Sequence, residues 1–208
     1  MKAFIFDLDG VIVSTDKFHY LAWKKMADEE GIYFDEKIND RLRGVSRMAS
    51  LDIVLERAER SYTSEEKQNL AERKNEYYKA FLESLTASDR LPYVTETLSA
   101  LREKGYKLAI GSSSKNTPII LKKIGYENYF DAISDGNNIT RSKPDPEVFL
   151  KAAEFLDEEP QNCFVVEDAE AGIDAALGGG FKSVGLGPAS KYCKTEIKLK
   201  RFSDLLNL

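Results

Sequence analysis

The feature that most constrains this 208-residue chain is its first apolar run, which stops at two aspartates separated by one residue. The run extends to Phe6, and Asp7, Asp9 and Gly10 follow it. A short apolar run without polar alternation predicts a strand buried on both faces of a parallel sheet. Because such sheets bind ligands beyond the carboxyl ends of their strands, the run predicts an active site at Asp7 and Asp9. The alternative is that both aspartates merely form a turn.

After Pro92, helix-length segments alternate with short β-rich runs, which is the pattern of a parallel sheet. The predicted later strands are residues 107–111, 132–134, 163–167 and 183–186. Residues 191–208 are predicted to form a short edge strand and a helix around Phe202, Leu205 and Leu206. The predicted fold class is therefore α/β, with a Rossmann-like parallel sheet as its core and an inserted all-α helical cap.

The predicted cap lies between the first and second strands. Apolar residues recur there at helical spacing and without proline from about Asp16 to Leu85, and we expect four helices. The predicted domains are a core of residues 1–14 and 90–208 and a cap of residues 15–89. An insertion placed beside strand ends can close over a site and exclude water.

Composition excludes several classes of function. A formal net charge of -5 disfavours nucleic acid as a partner, because binding a phosphate backbone needs a basic face. No apolar stretch approaches the roughly 18–20 residues that span a bilayer, and the start lacks a signal-peptide pattern. We therefore expect no membrane contact and a cytoplasmic location. Cys163 and Cys193 lack metal-ligand spacing and are expected to stay reduced. The protein is expected to be a monomer.

Three further motifs follow predicted strands. Ser112 opens a run of small hydroxyl residues at a helix start, which either caps the helix or binds an anion. Lys143, stiffened by the two prolines after it, is either a solvated charge or the counter-ion of a phosphoryl group. Glu167 and Asp168 repeat the opening pattern, although Asp168 could instead cap a helix.

These motifs should meet at one crevice beyond the strand ends, formed by Asp7, Asp9, Ser112, Lys143, Glu167 and Asp168. Carboxylates this close repel unless a cation lies between them. An oxygen-rich site that also binds phosphate suits Mg²⁺, and we assign Asp7, Asp9, Glu167 and Asp168 as its ligands. A carboxylate that becomes an aspartyl phosphate is an established nucleophile. We assign Asp7 to that role and Asp9 to moving the proton of the substrate hydroxyl.

The pattern of Asp7-Leu8-Asp9-Gly10, Ser112, Lys143-Pro144 and Glu167-Asp168 resembles the haloacid dehalogenase-like (HAD) phosphotransferases that carry a helical cap. The resemblance covers nearly the whole chain. It implies the HAD-like fold, a Mg²⁺ cofactor and a phosphorylated aspartate. Ser112 and Lys143 would then belong to the catalytic machinery.

Stretches around His19, Arg47 and Ser114 narrow the resemblance to sugar phosphomutases of that superfamily. By resemblance, Thr15 and His19 couple cap closure to the placement of Asp9, and Arg47 holds the phosphate that is not transferred. The other substrate-binding residues implied are Trp23, Arg43, Gly44, Val45, Ser46, Ser50, Ser114, Lys115 and Asn116. From spacing alone, His19 and Trp23 are also consistent with packing inside the cap, and Arg43 with a solvated helix charge.

The resemblance implies a phosphomutase that interconverts β-D-glucose 1-phosphate and D-glucose 6-phosphate through an aspartyl-phosphate enzyme and a bisphosphate intermediate. Its partners would be small molecules, the hexose phosphate and its bisphosphate. The alternative is a sugar-phosphate phosphatase of the same superfamily, in which water attacks the aspartyl phosphate. A remote alternative is a non-catalytic binding module on the same fold.

Overall fold

The structure is a computed structural model that describes residues 1–42 and 46–208. The chain divides into two units, one of residues 1–14 and 86–208 and one of residues 15–85. The second unit thus ends at residue 85, a few residues before the predicted cap boundary at residue 89. Thr86–Asp89 form a turn of their own, in which Thr86 Oγ1 accepts from the Ser88 amide and Asp89 Oδ2 accepts from the Thr86 amide.

The first unit is built on one six-stranded sheet. Its strands are β1 (Ala3–Phe6), β2 (Lys107–Gly111), β3 (Ala132–Ser134), β4 (Cys163–Glu167), β5 (Lys182–Gly185) and β6 (Ile197–Lys198). Every neighbouring pair is parallel, in the order β3-β2-β1-β4-β5-β6. This order turns back beside β1, and ligands of open α/β sheets bind at such a reversal. The predicted α/β class is confirmed.

Helices connect these strands and fill the second unit. They are α1 (Asp16–Glu29), α2 (Glu36–Asp40), α3 (Arg47–Leu55) and α4 (Ser64–Leu82) in the second unit, followed by α5 (Val94–Glu103), α6 (Thr117–Lys123), α7 (Glu147–Phe155) and α8 (Glu170–Gly178) in the first. The four helices expected in the insertion are therefore present among its described residues. None of the helices within residues 1–42 and 46–208 is long and apolar enough to cross a bilayer.

Strand β1 is buried on both faces, which explains why its sequence does not alternate. Ala3 and Ile5 belong to a core cluster that includes apolar residues of α7 and α8. Phe4 and Phe6 point to the opposite face, where Phe6 contacts Phe202 with ring centroids 5.6 Å apart. Since all four residues are fully buried, an apolar side chain is favoured at every position.

The remaining strand predictions differ little from the structure. β2, β3 and β4 have the predicted bounds, and β5 begins one residue earlier than expected, at Lys182. The predicted edge strand is β6. The predicted terminal helix is a 3-10 helix, Phe202–Asn207, which buries Phe202 and Leu205 while Leu206 stays partly exposed.

Burial also defines the second unit, whose helices enclose their own apolar core. α1 contributes Trp23, Met26 and Ala27 to it. The other fully packed members are Ile32, Phe34, Ile38, Leu42, Leu51, Val54, Leu70 and Ala71. α4 begins with a capping box, in which Thr63 and Glu66 each bond to the other's backbone amide.

Candidate active site

Parallel pairing places three strand ends side by side. Phe6 of β1 is level with Ile110 of β2 and Val166 of β4, so the next residues, Asp7 and Glu167 among them, emerge at the same edge of the sheet. The Asp7 amide donates to the carbonyl of Val166 at 2.9 Å, which keeps Asp7 in line with the end of β4. The register thus brings the first aspartate beside the acidic pair.

Lys143 bridges two of these carboxylates. Its Nζ lies 2.5 Å from Asp7 Oδ1 and 2.6 Å from Glu167 Oε1, and its side chain is only 10% exposed. Burial acts to lower the pKa of Lys143, but the charges of Asp7 and Glu167 outweigh it and raise the pKa above its ordinary value. The ammonium therefore stays charged, and the reading of Lys143 as a solvated surface charge is wrong.

The loop that carries Lys143 is fixed by Glu147, the first residue of α7. The Glu147 carboxylate accepts hydrogen bonds from the Thr140 amide at 3.0 Å, the Thr140 hydroxyl at 2.9 Å and the Arg141 amide at 2.8 Å. These bonds, the one from the Thr140 amide first, lower the pKa of Glu147 to about 2. The carboxylate stays ionised and holds the segment just before Lys143 in place.

Three carboxylates are close enough to share one cation. Asp7, Glu167 and Asp168 each offer an oxygen, and these oxygens lie within 4.8 Å of one another. Burial, followed by the negative charges of Asp7, Glu167 and Asp9, raises the pKa of Asp168 to about 8. Because a hard divalent cation bound by oxygen would relieve this repulsion, the donor set fits Mg²⁺.

Two glycines make room for this acidic group. Gly10 has a positive φ of 88°, and a Cβ there would lie 2.1 Å from Asp168 Oδ2. At Gly172, in the first turn of α8, a Cβ would lie 1.9 Å from Glu167 Cδ. Neither position therefore tolerates a side chain while the carboxylates keep their places.

Asp9 lies outside the group of three clustered carboxylates found among the described residues. The chain turns immediately after β1, because the amides of Ile12 and Val13 both donate to the Leu8 carbonyl. Asp9 remains close enough for its charge to contribute to the raised pKa of Asp168. Its assignment as a proton carrier and metal ligand stays a prediction.

The segment Ser112–Asn116, called the serine turn below, follows β2. The Ser112 amide donates to the Ser134 carbonyl at 3.0 Å, and Ser112 Oγ accepts from the Ser114 amide at 3.2 Å. Ser114 Oγ in turn accepts from the Asn116 amide at 3.2 Å. These hydroxyls shape the turn ahead of α6, whose N-cap is Asn116, so Ser112 and Ser114 are not its caps. Lys115 is exposed.

Asp168 is likewise not a helix cap. α8 begins at Glu170 and its N-cap is Ala169, with no side chain bonding to the free amides. The nearby amides of Asp168 and Ala169 donate instead to Glu167 Oε2, at 3.0 and 3.1 Å. The Asp168 carboxylate is thus left to the acidic group at the strand ends.

In the second unit, Thr15 and His19 lie in one buried cluster. The Thr15 hydroxyl is 2.8 Å from the Tyr78 hydroxyl, and the His19 ring stacks on the Tyr78 ring with centroids 4.1 Å apart. Burial, then the charges of Lys74 and Arg47, hold the pKa of His19 well below its ordinary value. We therefore expect a neutral imidazole at pH 7.

Lys74 is the member of this cluster that the sequence analysis missed. It is 3% exposed, its Nζ lies 2.9 Å from His19 Nδ1, and it approaches the Trp23 ring to 4.8 Å and the Tyr78 ring to 4.9 Å. The sequence feature that could have identified Lys74 is its helical spacing, four residues after Leu70 and four before Tyr78. Burying a lysine in the middle of an apolar stripe costs free energy of folding unless its charge is paired or hydrogen-bonded.

The other residues expected to bind substrate have varied surroundings. Arg47 starts α3 and is partly buried, which lowers its pKa. Ser46 caps α3 by accepting from the Ala49 amide, and Ser50 is 3% exposed. Trp23 is 3% exposed within the apolar core, as its packing alternative expects. The remaining assignments, Arg43, Gly44 and Val45, lie outside the described residues.

Comparison with known proteins gives matches along nearly the whole chain. The β-phosphoglucomutase of Bacillus subtilis (strain 168) is 42% identical over 207 residues, which cover 99% of this chain and 92% of that protein. A phosphorylated carbohydrates phosphatase of Thermotoga maritima is 30% identical over 186 residues, covering 88% and 84%. The crystal structure of β-phosphoglucomutase from Clostridium difficile matches with a TM-score of 0.91 and 40% identity, covering 99% and 93%.

A model of the haloacid dehalogenase-like hydrolase family matches residues 1–180. That range contains β1 with Asp7, the serine turn, Lys143 and the acidic pair at the end of β4. The sequence resemblance is thus confirmed by the family match, by full-length relatives and by the sheet order. With its nucleophile candidate at the end of a central strand and an all-helical insertion after it, this chain belongs to the haloacid dehalogenase-like hydrolase family.

Proposed function

We propose that this chain is a Mg²⁺-dependent phosphomutase that interconverts β-D-glucose 1-phosphate and D-glucose 6-phosphate. The observation that carries the chemistry is the buried Lys143 ammonium held between Asp7 and Glu167. The identity of 42% with a β-phosphoglucomutase over 99% of this chain supports the substrate. The partners are accordingly the hexose phosphate and its bisphosphate.

In this proposal Asp7 carries the phosphoryl group between the two ends of the sugar. Phosphorylated Asp7 gives its phosphoryl group to the 6-hydroxyl of glucose 1-phosphate, whose proton passes to Asp9. The resulting bisphosphate turns around, and an Asp7 oxygen then attacks phosphorus at the 1-position. The bond to the sugar oxygen breaks, and Asp9 returns the proton to that oxygen. Glucose 6-phosphate leaves and Asp7 is phosphorylated again.

The charges around Asp7 suit this transfer. Lys143 keeps its proton, so it neutralises charge on Asp7 and on the phosphoryl oxygens. Asp7, Glu167 and Asp168 would hold Mg²⁺, which when bound supplies further positive charge against the repulsion between phosphate and carboxylate. Ser112, buried at the start of the serine turn, is proposed to orient the same phosphoryl group.

The second phosphate of the substrate needs its own cationic contact. We assign it to Arg47 in the second unit and to Ser114, Lys115 and Asn116 in the serine turn. The positive charges of Lys74 and Arg47 both lower the pKa of His19, so the two charges lie in the same part of the second unit. Such a local excess of cationic charge suits a bound phosphate.

The raised pKa of Asp168 predicts how Mg²⁺ changes stability with pH. Without a divalent cation, folded Asp168 holds its proton to about pH 8, whereas the unfolded chain releases it near the ordinary value of 3.8. The folded state therefore binds more protons in this window, and the melting temperature should fall as pH rises from 5 to 8. Mg²⁺ should restore it, most strongly at pH 8.

Differential scanning calorimetry with and without Mg²⁺ checks this expectation. Asp168→Asn should flatten the pH dependence and remove most of the Mg²⁺ effect, because the amide does not titrate. Glu170→Gln, an exposed acid in the first turn of α8, is the matched control and should behave as the unchanged protein. A Mg²⁺ effect that persists in Asp168→Asn would contradict the ligand assignment.

A phosphatase that acts on sugar phosphates is the second candidate, favoured by the 30% identity with the phosphorylated carbohydrates phosphatase of Thermotoga maritima. A panel of hexose and disaccharide phosphates, each with Mg²⁺ and a trace of bisphosphate, separates the two. We expect isomerised product from β-glucose 1-phosphate in large excess over inorganic phosphate. Equal amounts of free sugar and inorganic phosphate would favour the phosphatase, and no turnover of any substrate would contradict both.

A further inference from the structure

The loop after β3 lies against the serine turn. This loop, Asp135–Asn138, is called the β3 loop below. It starts beside the turn because β2 and β3 pair in parallel with Gly111 level with Ser134. Its hydrogen bonds to the turn are donated by the Gly136 main-chain amide and by the Asn137 side-chain amide.

Gly136 brings the two backbones into direct contact. Its amide donates to the Ser114 carbonyl at 3.2 Å. A Cβ on Gly136 would lie 2.5 Å from the Ser113 carbonyl oxygen and 2.8 Å from the Lys115 nitrogen. Because both of these atoms belong to the main chain, neither can move aside as a flexible side chain would, and the approach requires glycine.

Asn137 ties the β3 loop to the centre of the turn. Its Nδ2 donates to the Lys115 carbonyl at 3.0 Å and to Asp135 Oδ2 at 3.2 Å, while Asp135 Oδ1 accepts from the Asn137 amide at 2.8 Å. Asp135 is 5% exposed. Both Asp135 carboxylate oxygens accept hydrogen bonds from Asn137, so Asp135 selects the NH₂ edge of the Asn137 side chain for this position. That edge is the one that Lys115 requires.

The bond to Lys115 reaches Ser114 through one peptide unit. The Lys115 carbonyl and the Asn116 amide belong to the same planar peptide, so orienting one orients the other. The Asn116 amide donates to Ser114 Oγ at 3.2 Å. With this bond accepted, the Ser114 hydroxyl can present its proton to an anion.

We propose that Asp135 and Asn137 are positioning residues that preset the serine turn for the substrate's second phosphate. Asp135 orients Asn137, Asn137 fixes the Lys115–Asn116 peptide, and that peptide orients Ser114. The inference rests on the proposed function, because it takes Ser114 and Lys115 as contacts of the phosphate that is not transferred. Neither Asp135 nor Asn137 touches the reacting atoms in this account.

The test compares a substrate that has a sugar-borne phosphate with a donor that lacks one. Asn137→Ala should raise the KM for β-glucose 1-phosphate about five- to tenfold, as expected for one lost hydrogen bond and a freed peptide. Its phosphorylation by acetyl phosphate should slow far less, because that donor has no second phosphate. Asp135→Asn, which no longer selects the NH₂ edge, should shift KM in the same direction and serves if Asn137→Ala folds poorly.

Asn138→Ala is the matched control. Asn138 Oδ1 accepts from the Ser134 hydroxyl and the Asp135 amide, both at 3.1 Å, so it stabilises the β3 loop without contacting the serine turn. We expect a lower melting temperature and an unchanged KM. An equal rise of KM in Asn138→Ala, or an unchanged KM in both Asn137→Ala and Asp135→Asn, would overturn the inference.

The same assay separates this inference from the proposed function. Ser114→Ala and Lys115→Ala should each raise the KM for β-glucose 1-phosphate. If they do and the Asn137 variant does not, the positioning role alone is wrong. If neither of them raises KM, the serine turn does not bind the second phosphate, and the proposed function fails at that point together with the inference.

Discussion

Replacing Asp7 with asparagine is expected to lower phosphomutase turnover by about four orders of magnitude or more, the effect of removing a covalent nucleophile. An amide oxygen is a much weaker nucleophile than a carboxylate oxygen and does not replace it in forming the aspartyl phosphate. The protein should still fold, because the change removes one negative charge from a crowded group of carboxylates. Repulsion from Asp7 is one cause of the raised pKa of Asp168. Lys143 retains its 2.6 Å contact with Glu167.

Production of glucose 6-phosphate, measured with purified protein and Mg²⁺, checks this expectation. Asp28→Asn is the control, since Asp28 is an exposed aspartate that pairs with Lys24 on the surface of α1, and it should keep full turnover. The Asp7→Asn protein should also keep its melting temperature within a few degrees. Turnover by Asp7→Asn at a rate near that of the unchanged protein would remove Asp7 from the nucleophile role.

Replacing Lys143 with methionine should damage both activity and stability. It leaves Asp7 and Glu167 buried without their shared cation, and removing one partner of a buried ion pair costs about 3–5 kcal/mol of the free energy of unfolding. Burial already raises the pKa of Glu167 and Lys143 opposes that shift, so without Lys143 the folded state should hold the Glu167 proton more tightly. Stability should therefore fall more steeply than in the unchanged protein as pH rises from 5 to 8. Turnover should drop at least about a hundredfold, because the transferring phosphoryl group loses a fixed counter-charge.

Denaturant unfolding at pH 5 and pH 8, with turnover measured on the same samples, checks both effects. Lys122→Met is the matched control, because Lys122 is a lysine on α6 whose side chain is 70% exposed. It should lose little of either property. A Lys143→Met protein that keeps the turnover of the unchanged protein would contradict the placement of Lys143 beside the reacting phosphoryl group.

Much of the fold could be predicted because burial left a clear pattern in the sequence. β1 lacks alternation since Ala3, Phe4, Ile5 and Phe6 are all buried, and that pattern alone predicts a central strand of a parallel sheet. The end of the chain was less predictable. Its 3-10 helix packs Phe202 against Phe6 of β1 and buries Leu205, and burial of these two residues does not distinguish an α-helix from a 3-10 helix.

The acidic half of the site could be predicted for a similar reason. Residues that follow parallel strands share one edge of the sheet, so Asp7, Glu167 and Asp168 were expected to meet. Asp9 lies outside the clustered oxygens and is followed by Gly10, whose positive φ is not visible from periodicity. The roles of Lys74 and Asn137 depend on their contacts with His19 and Lys115, which lie in segments distant in the sequence. The spacing of residues along the sequence does not encode such contacts.

The transfer of a phosphoryl group from Asp7 to the sugar is the step that distinguishes a phosphomutase from a phosphatase. The protein is phosphorylated with isotopically labelled acetyl phosphate in the presence of Mg²⁺, and the label is located by peptide mass spectrometry before and after β-glucose 1-phosphate is added. We expect the label to reside on Asp7 and then to pass to the sugar, forming the bisphosphate. Label on another residue, or its release as inorganic phosphate at the same rate with and without the sugar, would contradict it.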